Sequence, residues 1–236
     1  MKVLILNSGM GSRMGDLTKT QPKCMSQIYD NESIISHQLK LLYNNGINDI
    51  VITTGLFDQV LVDYCKSLNL DMNFTFVNNN LFAKTNYIYS IYLARDFLHD
   101  DIIMMHGDLV FEDIVLKNVL KCNVSCMTVS TTQSIPQKDF KAVISNGFIK
   151  KVGIEFFDNA VKAQPLYKIN KIDWEIWLEK IVNYCENRQV LCYAENAFNE
   201  VSDRCKIRPM DFKDFLCEEI DTIKDLINVR KRVQLH

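Results

Sequence analysis

Glycine is scarce in this chain, with 8 in 236 residues, and proline scarcer still at 4. The glycine content is about half the usual share. No Pro/Gly-rich linker, internal repeat or low-complexity stretch divides the sequence, so one domain spanning residues 1–236 is the simplest organisation. Excess charge of either sign is also missing. Lysine plus arginine number 27 and aspartate plus glutamate 29, a net of −2, which argues against a duplex nucleic-acid binder working by counterion release. The basic cluster Arg230-Lys231-Arg232 is expected to be solvated charge at the end of a helix, offsetting its dipole. No apolar run reaches the ~18 residues that span a bilayer. The opening residues are too short for the apolar core of a secretion signal, so none is expected. The 8 cysteines form no CxxC pair. Cys122 and Cys126 are the nearest two and stand alone, whereas a zinc site needs about four such ligands. Reduced thiols in the cytoplasm are the expected state.

What is present begins with periodicity. Val3–Leu6, Asp49–Thr53, Phe74–Val77 and Ile102–Met105 are short apolar runs that read as buried strands. Ser33–Tyr43, Gln59–Leu68 and Tyr87–Leu98 carry helical spacing between them. Asn44-Asn45-Gly46 is a helix stop. This alternation predicts right-handed crossovers and a parallel sheet covered on both faces. Ligands on such sheets bind beyond the carboxyl ends of the strands. After about residue 120 the rhythm changes. Val124–Ser130, Ala142–Ser145 and Phe148–Val152 read as strands, with Ser145-Asn146-Gly147 as a turn. Ile172–Cys185 reads as a helix with both tryptophans in the core, and a last helix begins near Asp221. The change of rhythm divides the chain into a first half, residues 1–120, and a second, residues 121–236, that carries the last helix.

Three of the glycines, Gly9, Gly11 and Gly15, fall within seven positions directly after the first strand. Such a loop points backbone N–H groups at phosphate oxygens. Ser12 adds a hydroxyl, Arg13 a guanidinium fork and Lys23 a point charge. The Walker pattern GxxxxGK[ST] is absent. The dinucleotide pattern GxGxxG fails at Met14, and no acidic residue ends the second strand.

The run Leu6-Asn7-Ser8-Gly9-Met10-Gly11-Ser12-Arg13, continued by Leu17-Thr18 and Pro22-Lys23, resembles the signature of the nucleotidyltransferase superfamily that activates sugars and alcohols. Asn86 to Leu93 resembles the N-x-x-x-S-L helix of the short bacterial phosphocholine cytidylyltransferases. Glu218-Glu219-Ile220-Asp221-Thr222 resembles their E-I-D-S/T segment. The resemblance implies a Rossmann-like three-layer α/β/α fold with a mostly parallel, mixed central sheet, similar to the glycosyltransferase-A type. It implies a nucleotide site at Asn7, Ser8, Gly9, Met10, Gly11, Ser12, Arg13, Lys23, Asn86, Ser90 and Asp108, with Arg13 and Lys23 acting on the triphosphate. Magnesium is implied at Asp108, Glu219 and Asp221. Glu219 and Asp221 are two apart, so on an extended segment both face one side. Acceptor contacts fall on Phe140, Lys141, Tyr193 and Glu195. Lys141 in an acceptor pocket would suit a carboxylate, as on a phospho-amino acid such as phosphoglutamine, better than choline.

The implied reaction is magnesium-dependent transfer of CMP from CTP to a small phosphorylated or phosphonate acceptor, releasing pyrophosphate, for surface polysaccharide, capsule or lipid decoration. No catalytic histidine is expected, and His106 is read as a packed or supporting residue. Lys23→Ala is expected to lower turnover by orders of magnitude with little change in melting. The departures from the pattern are Asn7-Ser8 in place of Ala-Ala, and His106-Gly107 before Asp108. The alternatives are a sugar-1-phosphate uridylyl- or thymidylyltransferase, and a nucleotide-binding regulatory module without catalysis. The expected partners are CTP and the acceptor, with no nucleic acid and no membrane span. A homodimer is left open.

Overall fold

The computed structural model describes residues 1–233. The first half alternates as its apolar runs dictate: β1 (Lys2–Leu6), a small hairpin of β2 (Gln27–Tyr29) and β3 (Glu32–Ser33), α1 (Ile34–Asn44), β4 (Asp49–Thr54), α2 (Asp58–Ser67), β5 (Asn73–Asn78), α3 (Tyr87–Ala94) and β6 (Ile102–His106). Then follow β7 (Leu109–Phe111), α4 (Asp113–Lys121), β8 (Cys126–Ser130), β9 (Lys141–Ser145), β10 (Phe148–Gly153) and β11 (Ala160–Ile169). The chain continues through α5 (Lys171–Glu186), α6 (Ala194–Val201), β12 (Arg208–Asp211), β13 (Cys217–Glu219) and α7 (Ile223–Val233).

The main sheet runs β10-β9-β11-β6-β1-β4-β5, with β8 and β12 attached through β11. β6, β1, β4 and β5 are mutually parallel. β11 joins them antiparallel along β6 and turns the sheet mixed. Side chains alternate across the sheet. Leu4 and Leu6 enter the core under α3, α5 and α6, while Val3 and Ile5 enter the one under α1, α2 and α4. The architecture is therefore a three-layer α/β/α sandwich around a mixed sheet. Both tryptophans are buried in the first of these cores.

Several elements depart from the sequence reading, β11, α4 and α6 among them. β11 is ten residues long, yet Lys162, Gln164, Pro165 and Lys168 hide its apolar alternation. Its pairing with β8 shifts register between Ala163 and Tyr167, around that proline, where a missing N–H is tolerated. α4 and α6 are helices that the sequence reading did not assign. Nor is the C-terminal basic cluster simply solvated: the Arg230 guanidinium donates to the Gln27 carbonyl at 2.7 and 3.1 Å. That contact fastens α7 to the small hairpin.

Among the described residues, no helix is long and apolar enough to cross a membrane.

Candidate active site

The site lies where the parallel strands end. β1 runs out at Asn7, whose N–H donates to the Thr53 carbonyl and hydroxyl, both at 3.2 Å. The loop then turns through Gly11 at φ +61°, where a Cβ would press on Lys23 Cβ and Thr18 Cγ2 at 3.1 Å. Glycine is required there for both reasons. Thr18 closes the loop by donating its hydroxyl to the Gly11 carbonyl at 3.0 Å. Pro22 leads into a short 3-10 turn, Lys23–Met25, whose buried Cys24 packs under the sheet. That anchor fixes the Lys23 stem against the loop.

The carboxylates arrive from the far end of the chain. β13 pairs antiparallel with β7, with Glu219 opposite Leu109. The Ile220 N–H donates to the Asp108 carbonyl at 2.9 Å. This register sets Glu219 beside Asp108 across 111 residues of sequence. Gln38, buried on α1, donates to the carbonyls of His106 and Leu109 at 2.9 and 2.7 Å and clamps the turn that carries Asp108. A polar position on an apolar helix face was the only sign of it in the sequence.

A cleft of about 410 Å³ collects Asn7, Gly9, Met10, Gly11, Ser12, Arg13, Lys23, Tyr87, His106, Asp108, Asp139, Phe140, Tyr193, Glu219 and Asp221. Its charges are paired against each other. Lys23 Nζ contacts Asp108 and lies 3.0 Å from Asp221 Oδ1, and Arg13 Nη2 reaches the same oxygen at 2.8 Å. Burial opposes the Lys23 charge, but Asp108 and then Asp221 outweigh it and raise its pKa above the ordinary lysine value. Burial likewise acts against the Asp108 charge, and Lys23 and His106 hold its pKa below the usual range. Glu219 moves the other way, raised by burial despite its hydrogen bond to His106. His106 Nδ1 lies 2.8 Å from Glu219 Oε1. Burial would lower the His106 pKa, but Glu219 and then Asp108 lift it to about 9.

The residues fit a divalent cation. Asp108 Oδ1 is buried without a hydrogen-bond partner among the described residues. Ligand atoms of His106, Asp108 and Glu219 lie within 4.8 Å of one another. A hard cation favours the two carboxylates, with His106 orienting Glu219 from behind. Asp221 faces the same cleft but is occupied by Arg13 and Lys23.

A smaller cavity of about 160 Å³ adjoins the cleft, lined by Ser8, Gly9, Phe82, Thr85, Asn86 and Tyr87 among others. Asn86 caps α3, its side chain accepting from the Tyr87 N–H at 2.8 Å. Ser90 lines neither space. It is buried, 2.6 Å from the Ser8 hydroxyl and 3.0 Å from Asn79 Nδ2, and so supports the glycine loop from below.

Two of the expected acceptor contacts line the cleft and two do not. Phe140 and Tyr193 meet edge to face at 5.2 Å, with Tyr87 5.9 Å from Tyr193 and His106 6.1 Å from Phe140. Lys141 is 0% exposed and does not line the cleft. It follows Phe140 at the start of a strand, so it points to the opposite face. Its Nζ donates to the carbonyls of Gln137 and Ile154 at 3.1 and 2.6 Å, over the Phe157 ring. Lys141→Met is therefore expected to lower stability in urea unfolding by about 1–3 kcal/mol, the cost of stranding those carbonyls, with acceptor KM unchanged. A raised acceptor KM at parental stability would restore the direct contact. Glu195 is also out of reach. It is buried at the start of α6 and accepts from the hydroxyls of Tyr87 and, at 2.8 Å, Tyr167. It acts on the cleft through the Tyr87 hydroxyl that it holds and through its charge on His106 and Tyr193.

Tyr87 and Asp139 were missed in the sequence. The first reads as one more core position of an apolar helix, and the second as loop charge. Burial and then Asp221 raise the Asp139 pKa.

A nucleotidyl transferase family model matches residues 2–142 of this chain. The chain is 36% identical over 124 residues to the CTP:phosphoglutamine cytidylyltransferase of Campylobacter jejuni, covering 50% of this chain and 47% of that protein. It is 30% identical over 114 residues to the choline-phosphate cytidylyltransferase of Streptococcus pneumoniae, covering 48% of each. It is 29% identical over 119 residues to the CMP-5'-(3-aminopropyl)phosphonate synthase of Streptomyces rubellomurinus, covering 50% of this chain and 19% of that protein. The chain thus spans about half the length, or less, of these curated relatives. In fold, it resembles the CTP:phosphocholine cytidylyltransferase of Streptococcus pneumoniae with a TM-score of 0.78 at 18% identity, over 98% of both chains. It resembles the inositol-1-phosphate CTP transferase of T. maritima with a TM-score of 0.80 at 18% identity, over 99% and 96%.

Proposed function

The chain belongs to the nucleotidyl transferase family, and from that premise we propose that it transfers CMP from CTP to a small amine-bearing phosphate or phosphonate, releasing pyrophosphate. The observation that carries this reading is the convergence in one cleft of Arg13 and Lys23 with Asp108, Glu219 and Asp221. A binding module has no need of both sets, and the similarity to cytidylyl-transferring relatives supports CTP as the nucleotide.

The chemistry asks little of the protein covalently. An acceptor oxygen, largely anionic near neutral pH because the second phosphate pKa is about 6, attacks the α-phosphorus. The bond from that phosphorus to the bridging oxygen breaks, and its electrons leave with pyrophosphate. Arg13, Lys23 and the loop N–H groups hold the triphosphate and stabilise the departing charge. The smaller cavity beside Ser8, Thr85 and Asn86 takes the base. Asp108 and Glu219 would hold magnesium, which supplies charge neutralisation at the phosphoryl oxygens.

The acceptor end favours a cationic group. Tyr87, Tyr193 and Phe140 offer ring faces and edges, Asp139 adds a carboxyl, and the Tyr87 hydroxyl is committed to Glu195. Rings of this kind attract ammonium groups. Lys141, turned away, supplies no contact for a carboxylate, so a phospho-amino acid acceptor is supported by the similarity to the CTP:phosphoglutamine cytidylyltransferase alone. A role in decorating surface polysaccharide or lipid follows only from the kinds of acceptor such enzymes activate, and belongs to the same proposal.

The test is pyrophosphate release with CTP, UTP, ATP and GTP against phosphocholine, phosphoethanolamine, 2-aminoethylphosphonate, phospho-amino acids and a sugar 1-phosphate. The reading expects CTP with an amine-bearing acceptor. Preference for UTP with the sugar phosphate would replace it with the sugar-nucleotide alternative.

A further inference from the structure

Two departures from the family signature meet in space. Asn7 stands where alanine is usual, and Gly107 stands between His106 and Asp108. The Gly107 N–H donates to the Leu6 carbonyl at 3.0 Å, which brings the β6 turn against the end of β1. There the Asn7 side chain fills the space above Gly107. A Cβ on Gly107 would lie 1.7 Å from Asn7 Oδ1, 2.3 Å from Cγ and 2.6 Å from Nδ2. No side chain fits beside Asn7 as it stands, so a residue larger than glycine at 107 would have to turn the amide out of this position.

The amide is not held there by hydrogen bonds of its own. Asn7 Nδ2 is buried with no partner among the described residues, and the same is true of Asp108 Oδ1 and His106 Nε2. All three residues line the cleft floor within a few positions of one another in the fold. A buried donor without a partner is costly, and here it shares the cleft with a stranded carboxylate oxygen. Such a set is what a site looks like when its ligand supplies the missing partners.

We infer that the Asn7 side-chain amide donates a hydrogen bond to a phosphoryl oxygen of the bound nucleotide, and that Gly107 is glycine in order to seat it. The inference rests on the nucleotidyl-transfer reading for the identity of its ligand. Asn7 adds a neutral donor to the cleft that also holds the Arg13 and Lys23 cations and the Asp108 and Glu219 carboxylates. It can approach a phosphoryl oxygen without disturbing either charge set. Alanine at this position leaves only backbone, so the donor is a feature of this chain's version of the site. Asn7 and Gly107 are then a matched pair, and neither change alone is neutral.

The experiment combines a stability cycle with nucleotide binding. Asn7→Ala, Asn7→Asp, Gly107→Ala and the double variant Asn7→Ala/Gly107→Ala are melted and titrated with CTP in magnesium by calorimetry. Gly107→Ala is expected to melt well below the parent. The double variant is expected to melt near Asn7→Ala, because the collision is gone. Asn7→Ala is expected to bind CTP about tenfold more weakly, one lost hydrogen bond to a charged group. Asn7→Asp, the same shape without the donor, is expected to bind no better. CTP affinity within twofold of the parent in both Asn7 variants would overturn the donor role. An equal penalty for Gly107→Ala with and without the Asn7 side chain would overturn the pairing. Failure of the broader reading is distinguishable: a parent that binds CTP but transfers nothing leaves both comparisons intact.

Discussion

Lys23→Ala is expected to slow pyrophosphate release from CTP by roughly 10²–10³-fold, the usual cost of removing one preorganised group that stabilises transition-state charge. The loss should fall on kcat more than on KM, because Arg13 and the loop N–H groups still hold the triphosphate. The structure also changes what the substitution should do to stability. Viewed only as a triphosphate ligand, Lys23 could be removed with little effect on melting. In the fold it is the cation that Asp108 and Asp221 share, with Glu219 close by and its pKa already raised by burial. Removing it leaves Asp108 without its ion-pair partner, while Asp221 keeps Arg13, at a cost that reaches about 3 kcal/mol when such a pair is fully buried. A lower melting temperature is expected in EDTA, with part of the loss recovered when magnesium is added. Scanning calorimetry with and without the metal checks this. Parental melting in EDTA would mean that Asp108 and Asp221 do not depend on Lys23.

Asp108→Asn should have an effect of similar or greater size on turnover, about 10³-fold, and an opposite effect on metal-free binding. In the free protein Asp108 and Asp221 neutralise the cations that a triphosphate needs. CTP without metal must pull Lys23 away from them and lie against the freed carboxylates. CTP arriving with magnesium gives both charge sets a new partner at once, so metal and nucleotide are expected to bind with positive coupling. The asparagine variant removes one of the opposing charges. It should therefore bind metal-free CTP more tightly than the parent, by roughly tenfold. That figure is well below the ~4 kcal/mol of one unit charge at 4 Å in a partly screened site. Calorimetric titration in EDTA reads the change directly. Weaker metal-free binding in the variant would show that Asp108 does not oppose the triphosphate.

The first half of the fold was legible because its strands are short apolar runs and its helices keep their spacing. Ser33 and Asn86 cap α1 and α3 as their residue types suggest. The glycine loop and its two cations were legible because backbone approach and phosphate charge demand particular residues within a short stretch. What lay beyond reach was set by pairing at long range. Nothing local in Glu219 announces that β13 will run beside β7, and the family resemblance had to supply that link. His106 and Tyr87 read as ends and faces of apolar elements, and only the sheet's edge makes them cleft walls. Lys141 was misjudged for the opposite reason. Its neighbour Phe140 does face the cleft, and strand alternation turns the next residue away. Glu195 sits one layer too deep, behind the tyrosine that it holds.

The central claim, nucleotidyl transfer, is tested most directly by following which phosphorus of CTP reaches the acceptor. The protein is incubated with magnesium, an accepted amine-bearing phosphate or phosphonate, and CTP labelled at either the α- or the γ-phosphorus. Label from the α position should appear in the acceptor product, and label from the γ position in free pyrophosphate. Label from the γ position in the acceptor or in inorganic phosphate, or bound CTP that releases nothing, would contradict it.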